Sequence, residues 1–216
     1  MFRPILSSHR PITLVGGGEA KPALVKKAFS RAPTLVAADG GARLALEAGV
    51  RPAAVIGDFD SLGALDLPPD ILHHQPDQNA TDFEKCLAAL EAPLFLAVGF
   101  LGGRLDHQLA AFSTLLKDHR PIVLLSDTEL AFIAPPSITL DLVEESPISV
   151  FPLLEARLTT RGLRYPLTDA SVAPDAQTST SNHVAARPVE IIADRHALLV
   201  SLPLAGLDAV LAALGQ

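Results

Sequence analysis

Three short apolar runs near the start of this chain each stop on glycine or aspartate. Residues 12–15 run into Gly16-Gly17-Gly18, residues 34–38 into Asp39-Gly40-Gly41, and residues 53–56 into Gly57-Asp58-Phe59-Asp60-Ser61. Runs of four or five apolar residues, separated by helical segments at 23–29 and 42–48, are the pattern of parallel strands buried on both faces. Open sheets of this kind bind ligands beyond the carboxyl ends of their strands. Glycine and aspartate therefore stand where chemistry is expected.

The alternation continues. Thr81 followed three residues later by Glu84 is a capping box, and Phe83, Leu87 and Leu90 give the helix it opens an apolar stripe. A strand at 94–98, a glycine-containing turn at 99–103, a helix at about 106–117 with Leu109, Phe112, Leu115 and Leu116 as its apolar face, and a strand at 122–125 follow. After Ala134-Pro135-Pro136 the character changes. Strand candidates at 138–143, 148–154, 156–160, 184–192 and 197–202 are separated by turn residues, with a polar loop expected at 168–182 and a short apolar helix at 207–214. The expected fold class is α/β. An N-terminal open, mostly parallel sheet with flanking helices spans 1–134, and a C-terminal all-β domain spans 135–216.

The double aspartate carries the chemistry. If residues 57–61 are extended, Asp58 and Asp60 point to one side, where their repulsion calls for a cation. Asp82 is a third carboxylate and Asp39 a further one, all at predicted element ends. Oxygen-only ligands favour Mg²⁺ held together with substrate phosphates, which points to phosphoryl chemistry. The competing reading is a set of solvated turn carboxylates, but four of them on one sheet edge are costly without a metal. Lys85 shares a helix face with Asp82 and can neutralise a phosphate or pair with that aspartate. Arg104 precedes a helix start, where a guanidinium and the backbone dipole both attract phosphate oxygens. Asp106 can cap that helix, and His107 can touch substrate or serve structure alone. The glycine cluster at 16–18 lacks the Lys-Ser or Lys-Thr of a P-loop, and Lys21 stands where a dinucleotide fingerprint needs its third glycine.

Composition excludes several classes. A net charge of -7, from 17 basic and 24 acidic residues with no basic run, offers no footprint for nucleic acid. The single cysteine, Cys86, forms no internal disulfide and reads as a core residue. No apolar run reaches the roughly 18 to 20 residues of a membrane span, and residues 1–15 lack a cleavage site, so no membrane partner and a cytoplasmic location are expected.

Taken together, Asp39-Gly40-Gly41-Ala42, Gly57-Asp58-Phe59-Asp60-Ser61, Asp77-Gln78 with Thr81-Asp82-Phe83-Glu84-Lys85, Gly102-Gly103-Arg104-Leu105-Asp106-His107, Gly162-Leu163-Arg164-Tyr165 and Ser179-Thr180-Ser181-Asn182 resemble thiamine pyrophosphokinases of the bacterial type. The resemblance covers about residues 12 to 202. It implies an α/β catalytic domain followed by a β-sandwich-like domain, and a homodimer with thiamine held between the catalytic domain of one subunit and the β domain of the other. It also implies transfer of pyrophosphate from ATP to thiamine, giving thiamine diphosphate and AMP. By the same resemblance Asp58, Asp60 and Asp82 are Mg²⁺ carboxylates, Gln78, Lys85 and Arg104 contact phosphate, and Asp106 and His107 lie by the nucleotide. Tyr165, Ser179, Ser181 and Asn182 fall on the thiamine side. Asp82 and Asp106 are the candidates to accept the alcohol proton. Tyr165 stands where many members carry tryptophan, and Arg43 where asparagine is frequent. The alternatives are a pyrophosphokinase acting on a hydroxymethyl pterin, or a nucleotide-binding regulatory module without turnover.

Overall fold

The structure is a computed structural model and describes residues 4–215. Two compact units are present, one containing residues 4–114 with 122–127, the other residues 115–121 with 128–215.

In chain order the first unit contains β1 (Leu6–Ser7), β2 (Ile12–Val15), α1 (Pro22–Phe29), β3 (Thr34–Ala38), α2 (Gly41–Glu47), β4 (Ala54–Gly57), β5 (Leu72–His74), α3 (Asp82–Ala89), β6 (Leu90–Glu91), β7 (Phe95–Val98), most of α4 (Leu105–Lys117), and β8 (Ile122–Leu125). Strand β7 pairs in parallel with β2 and with β8, and β4 in parallel with β3 and with β5. The two groups meet where β2 lies beside β3; there Thr13 Oγ1 donates to Ala32 O at 2.9 Å and Ile12 bridges Pro33. Every residue of β2, β4, β7 and β8 is buried. Their apolar runs, interrupted by Thr13 alone, follow from that, because a strand covered on both faces has no wet side to alternate toward.

Helix α2 starts so close to the end of β2 that a Cβ on Gly41 would lie 2.0 Å from Val15 O. Only glycine fits there. The helix ends at Gly49, whose φ of 73° turns the chain while its N–H donates to Leu46 O. In α3 the predicted capping box is present, with Thr81 accepting from the Glu84 N–H and Glu84 accepting from the Thr81 N–H. Cys86 is fully buried, its thiol pKa pushed up by desolvation.

The second unit contains β9 (Glu129–Ile133), β10 (Ser137–Leu140), β11 (Pro147–Pro152), β12 (Ala156–Arg161), β13 (Ala170–Val172), β14 (Ser179–His183), β15 (Val189–Ala193), β16 (Leu198–Pro203) and α5 (Leu207–Ala213). Antiparallel pairing gives the orders β14-β11-β16-β9 and β10-β15-β12-β13. Burial alternates along β10, β11 and β12, so one face of each is apolar. The C-terminal helix buries Leu207 and Val210.

Two expectations change. Residues 168–182 are not one loop: β13 and most of β14 lie within them. Strand β14 has no apolar alternation to announce it, because its inward positions are the polar Ser179 and Asn182, both buried. The strand expected over 184–192 begins only at Val189, after Pro188, whose ring leaves no N–H for a ladder. Among the described residues no helix is long and apolar enough to cross a membrane.

Candidate active site

Three carboxylates meet at the ends of β3 and β4 and the start of α3. Asp39, Asp58 and Asp82 each offer an oxygen, and these atoms all lie within 4.8 Å of one another. Asp39 directly follows β3 with a φ of 42° and is 1% exposed. Its Oδ2 accepts the Ser61 N–H at 3.2 Å, while its Oδ1 is buried without a hydrogen-bond partner among the described residues. Burial, opposed by the Ser61 N–H and reinforced by the neighbouring Asp60 and Asp82 carboxylates, raises the Asp39 pKa to about 6.

Asp58 differs in every respect. Its Oδ2 accepts from Lys85 Nζ at 3.1 Å and from Gln78 Nε2 at 3.0 Å, and these two bonds pull its pKa down to about 2. Lys85, buried on α3, also donates to Asp82 Oδ1 at 2.9 Å. Burial works against its charge, yet the bonds to Asp82 and Asp58 outweigh it and raise the ammonium pKa. One ammonium facing three carboxylates leaves the group negative. A divalent cation fits this donor set: the ligands are hard oxygens, and the unmet Asp39 Oδ1 is an atom whose desolvation such an ion would offset.

The double-aspartate segment is not extended. Strand β4 stops at Gly57, and Phe59, at a φ of 68°, reverses the chain. Asp58 and Asp60 are therefore not paired by strand alternation. The Asp60 N–H instead turns back to Asp58 Oδ1 at 3.4 Å, and Asp60 Oδ1 accepts from Ser61 Oγ at 2.7 Å. Asp60 flanks Asp39 rather than joining the converging three. Its presence beside Asp39 was visible in no spacing, since it depends on that reversal.

A cleft of about 980 Å³ opens here, lined by Gly16–Gly18, Asp39, Asp82, Phe100, Arg104 and His107 among others. A Cβ on Gly18 would lie 2.5 Å from Gly99 O, so backbone packing already demands glycine at that position. Phe83 and Phe100 stack with centroids 4.2 Å apart. Phe100 is a wall residue that the sequence reading passed over as part of a turn. Arg104 and Asp106 form a two-pronged pair, Nη2 to Oδ2 at 2.6 Å and Nε to Oδ1 at 3.1 Å, both side chains exposed. The Arg104 bonds hold the Asp106 pKa below its ordinary value. Helix α4 begins at Leu105, so Asp106 lies in its first turn, accepting the His107 N–H at 3.0 Å, rather than at the cap. Of the apolar face expected for this helix, Leu115 is buried, with Ala111 and Thr114 beside it, and Phe112 and Leu116 are half-buried, whereas Leu109 is 58% exposed.

The second unit gathers the remaining predicted residues. Tyr165 is 66% exposed, Ser179 and Asn182 are buried, and Ser181, at a φ of 55°, donates its N–H to Ser149 Oγ at 3.1 Å. Asn182 bonds the backbone of Tyr165.

Comparison with known proteins adds an independent line. Residues 25–124 match the family described as thiamin pyrophosphokinase, catalytic domain, and residues 137–198 that described as thiamin pyrophosphokinase, vitamin B1 binding domain. A thiamine pyrophosphokinase from Oryza sativa subsp. japonica is 27% identical over 216 residues, covering 89% of this chain and 79% of the relative. The crystal structure of thiamin pyrophosphokinase from Geobacillus thermodenitrificans superposes with a TM-score of 0.76 at 28% identity, covering 89% of this chain and 96% of that one. Yeast thiamin pyrophosphokinase shares the fold, with a TM-score of 0.73 at 16% identity over 98% of this chain and 95% of the other.

Proposed function

Since the chain belongs to the thiamine pyrophosphokinase family, we propose that it transfers the β,γ-pyrophosphoryl unit of ATP to the hydroxyethyl oxygen of thiamine, releasing thiamine diphosphate and AMP. The observation that carries this reading is the buried, unmet Asp39 Oδ1 within 4.8 Å of oxygens from Asp58 and Asp82, beside a glycine-lined cleft.

Asp39, Asp58 and Asp82 would hold Mg²⁺, which would supply positive charge to the triphosphate oxygens. Asp60, against Asp39, is the fourth acid of the proposal. Lys85 bridges Asp58 and Asp82 and holds Asp58 ionised, and Gln78 orients Asp58 through its amide N–H. Arg104 and His107, on the cleft wall, contact phosphate, with Arg104 exchanging the Asp106 carboxylate for phosphate oxygens of matching geometry. Asp106, held low by Arg104, is a weak base. Asp82, one of the converging three, is the other candidate to accept the alcohol proton. Tyr165 presents an aromatic face to the cationic thiazolium ring, flanked by Ser179, Ser181 and Asn182. The proposed assembly is a cytoplasmic homodimer whose active sites lie at the subunit interface.

The test is incubation of the purified protein with ATP, Mg²⁺ and thiamine, reading AMP and thiamine diphosphate together. Equal yields of both are expected. AMP formed with a hydroxymethyl pterin but not with thiamine would overturn the acceptor, and ATP binding without AMP would overturn the reaction.

A further inference from the structure

Asn182 sits on β14 and is 2% exposed, while Tyr165, seventeen residues earlier, is 66% exposed. An asparagine side chain has two donor hydrogens and an oxygen with two lone pairs. Here all four are engaged. Oδ1 accepts the Tyr165 N–H at 3.1 Å and the His183 N–H at 2.9 Å, while Nδ2 donates to Tyr165 O at 2.8 Å and to Ser179 Oγ at 3.5 Å. The amide thus grips both polar groups of the Tyr165 backbone, as a neighbouring strand would. Strand pairing itself runs out just before that point, because the last contacts of the 162–164 segment are the Leu163–Val184 bridge and the Arg164 N–H on His183 O at 2.9 Å.

From this geometry we infer that Asn182 is a positioning residue: it has no hydrogen-bonding capacity left for a ligand, and it acts on thiamine by fixing the backbone from which Tyr165 projects. The inference rests on the thiamine pyrophosphokinase reading for the identity of the ligand, and on the bonds above for the clamp. Smaller aromatic area makes the clamp matter more here, since a tyrosine ring contributes to stacking only while held at the correct angle. Ser179 supports Asn182 from below, which accounts for a buried serine on a strand with no apolar alternation.

The chain provides its own probe, having one tyrosine and no tryptophan. Emission of Tyr165 is therefore the whole intrinsic fluorescence. In Asn182→Ala the anisotropy of that emission in the ligand-free protein is expected to fall, and the KM for thiamine to rise about tenfold, as for the loss of a buried hydrogen-bonded pair. The KM for ATP and kcat should stay within about twofold. Ser179→Ala removes only the bond from Asn182 Nδ2 to Ser179 Oγ, so it should move both readouts the same way by less, and it replaces the alanine variant at 182 if that one does not fold. Unchanged anisotropy and an unchanged thiamine KM in the folded variant would overturn the clamp. So would equal rises in both KM values, the mark of a general structural defect. Failure of thiamine to quench wild-type Tyr165 emission would sink the thiamine reading instead, with the ligand-free anisotropy still deciding the clamp.

Discussion

Asp39 and Asn182 are almost equally buried, at 1% and 2% exposed, and their hydrogen-bonding states are opposite. Asn182 spends every donor and acceptor on its own unit. Asp39 leaves Oδ1 without a partner, among other carboxylates and at a raised pKa. A buried polar group with all partners made is scaffold; one left unmet costs stability and persists where something else completes it. That contrast supports the proposed division, with the acid cluster of the first unit assigned to chemistry and the amide of the second to placement.

The comparison breaks most readily at Asp58, which joins the two kinds of behaviour by bonding internally and converging with Asp39 and Asp82. Asp58→Ala is expected to lower turnover at least about a thousandfold, the scale of losing both a metal ligand and the partner of Lys85. AMP release at saturating Mg²⁺, with circular dichroism as the control for folding, measures it. Turnover within tenfold of wild type would remove Asp58 from the metal site. Acid should act on the same bonds. A carboxyl whose folded pKa is about 2 lends stability above its ordinary value of 3.8 and loses it as pH falls toward 2.

Asp39 carries the opposite sign. Its folded pKa of about 6 lies above 3.8, so its contribution is intact below 3.8 and is lost as pH rises through 6. At pH 8 the ionised, buried carboxylate costs the metal-free fold on the order of 3 kcal/mol. Asp39→Asn should therefore raise the melting temperature of the metal-free protein at pH 8, do little at pH 4, and lower activity about a hundredfold. Adding Mg²⁺ should stabilise wild type more than the variant. Melting curves at the two pH values, with and without Mg²⁺, check each part. A variant less stable at pH 8 would show that Oδ1 is not the unmet atom described.

How much of this was legible follows from where the signals live. Strands β2, β3, β4, β7 and β8 announced themselves because a strand buried on both faces must be apolar throughout, and α3 because its cap is written in Thr81 and Glu84. Strand β14 was hidden, since its inward residues are Ser179 and Asn182, whose partners lie far off in sequence. Asp39, Asp58 and Asp82 were all visible as acids at element ends. That Asp39 joins the converging three while Asp60 flanks it turns on the positive φ of Phe59, and no hydrophobic period encodes that reversal. Leu109 was misplaced because the apolar residues of α4 permit more than one inward face, and its exposed leucines carry no mark of the difference.

Arg104 sharpens the comparison from the surface. Its pair with Asp106 is exposed on both sides, so it contributes little to stability. Arg104→Ala should leave the melting temperature within about 1 °C of wild type and raise the KM for ATP about tenfold, the scale of one charge-assisted phosphate contact. Initial rates over an ATP titration measure the effect, and an unchanged KM would assign Arg104 to the Asp106 pair alone.

Thr81 separates scaffold from site within a single turn. Its hydroxyl and the Glu84 carboxylate satisfy each other's N–H groups at 3.2 and 3.0 Å, so the cap is as internally complete as the Asn182 clamp. The next residue is Asp82, one of the three converging acids. Thr81→Ala removes the cap at about 1 kcal/mol of stability, and fraying of that turn loosens Asp82. The expected result is a melting temperature a few degrees lower and a Mg²⁺ requirement raised about twofold, with kcat at saturating Mg²⁺ nearly unchanged. A lower melting temperature with an unaltered Mg²⁺ titration would mean that Lys85, bonded to Asp82 at 2.9 Å, holds the carboxylate without help from the cap. The division between satisfied scaffold and unsatisfied site would then fall inside α3, between residues 81 and 82.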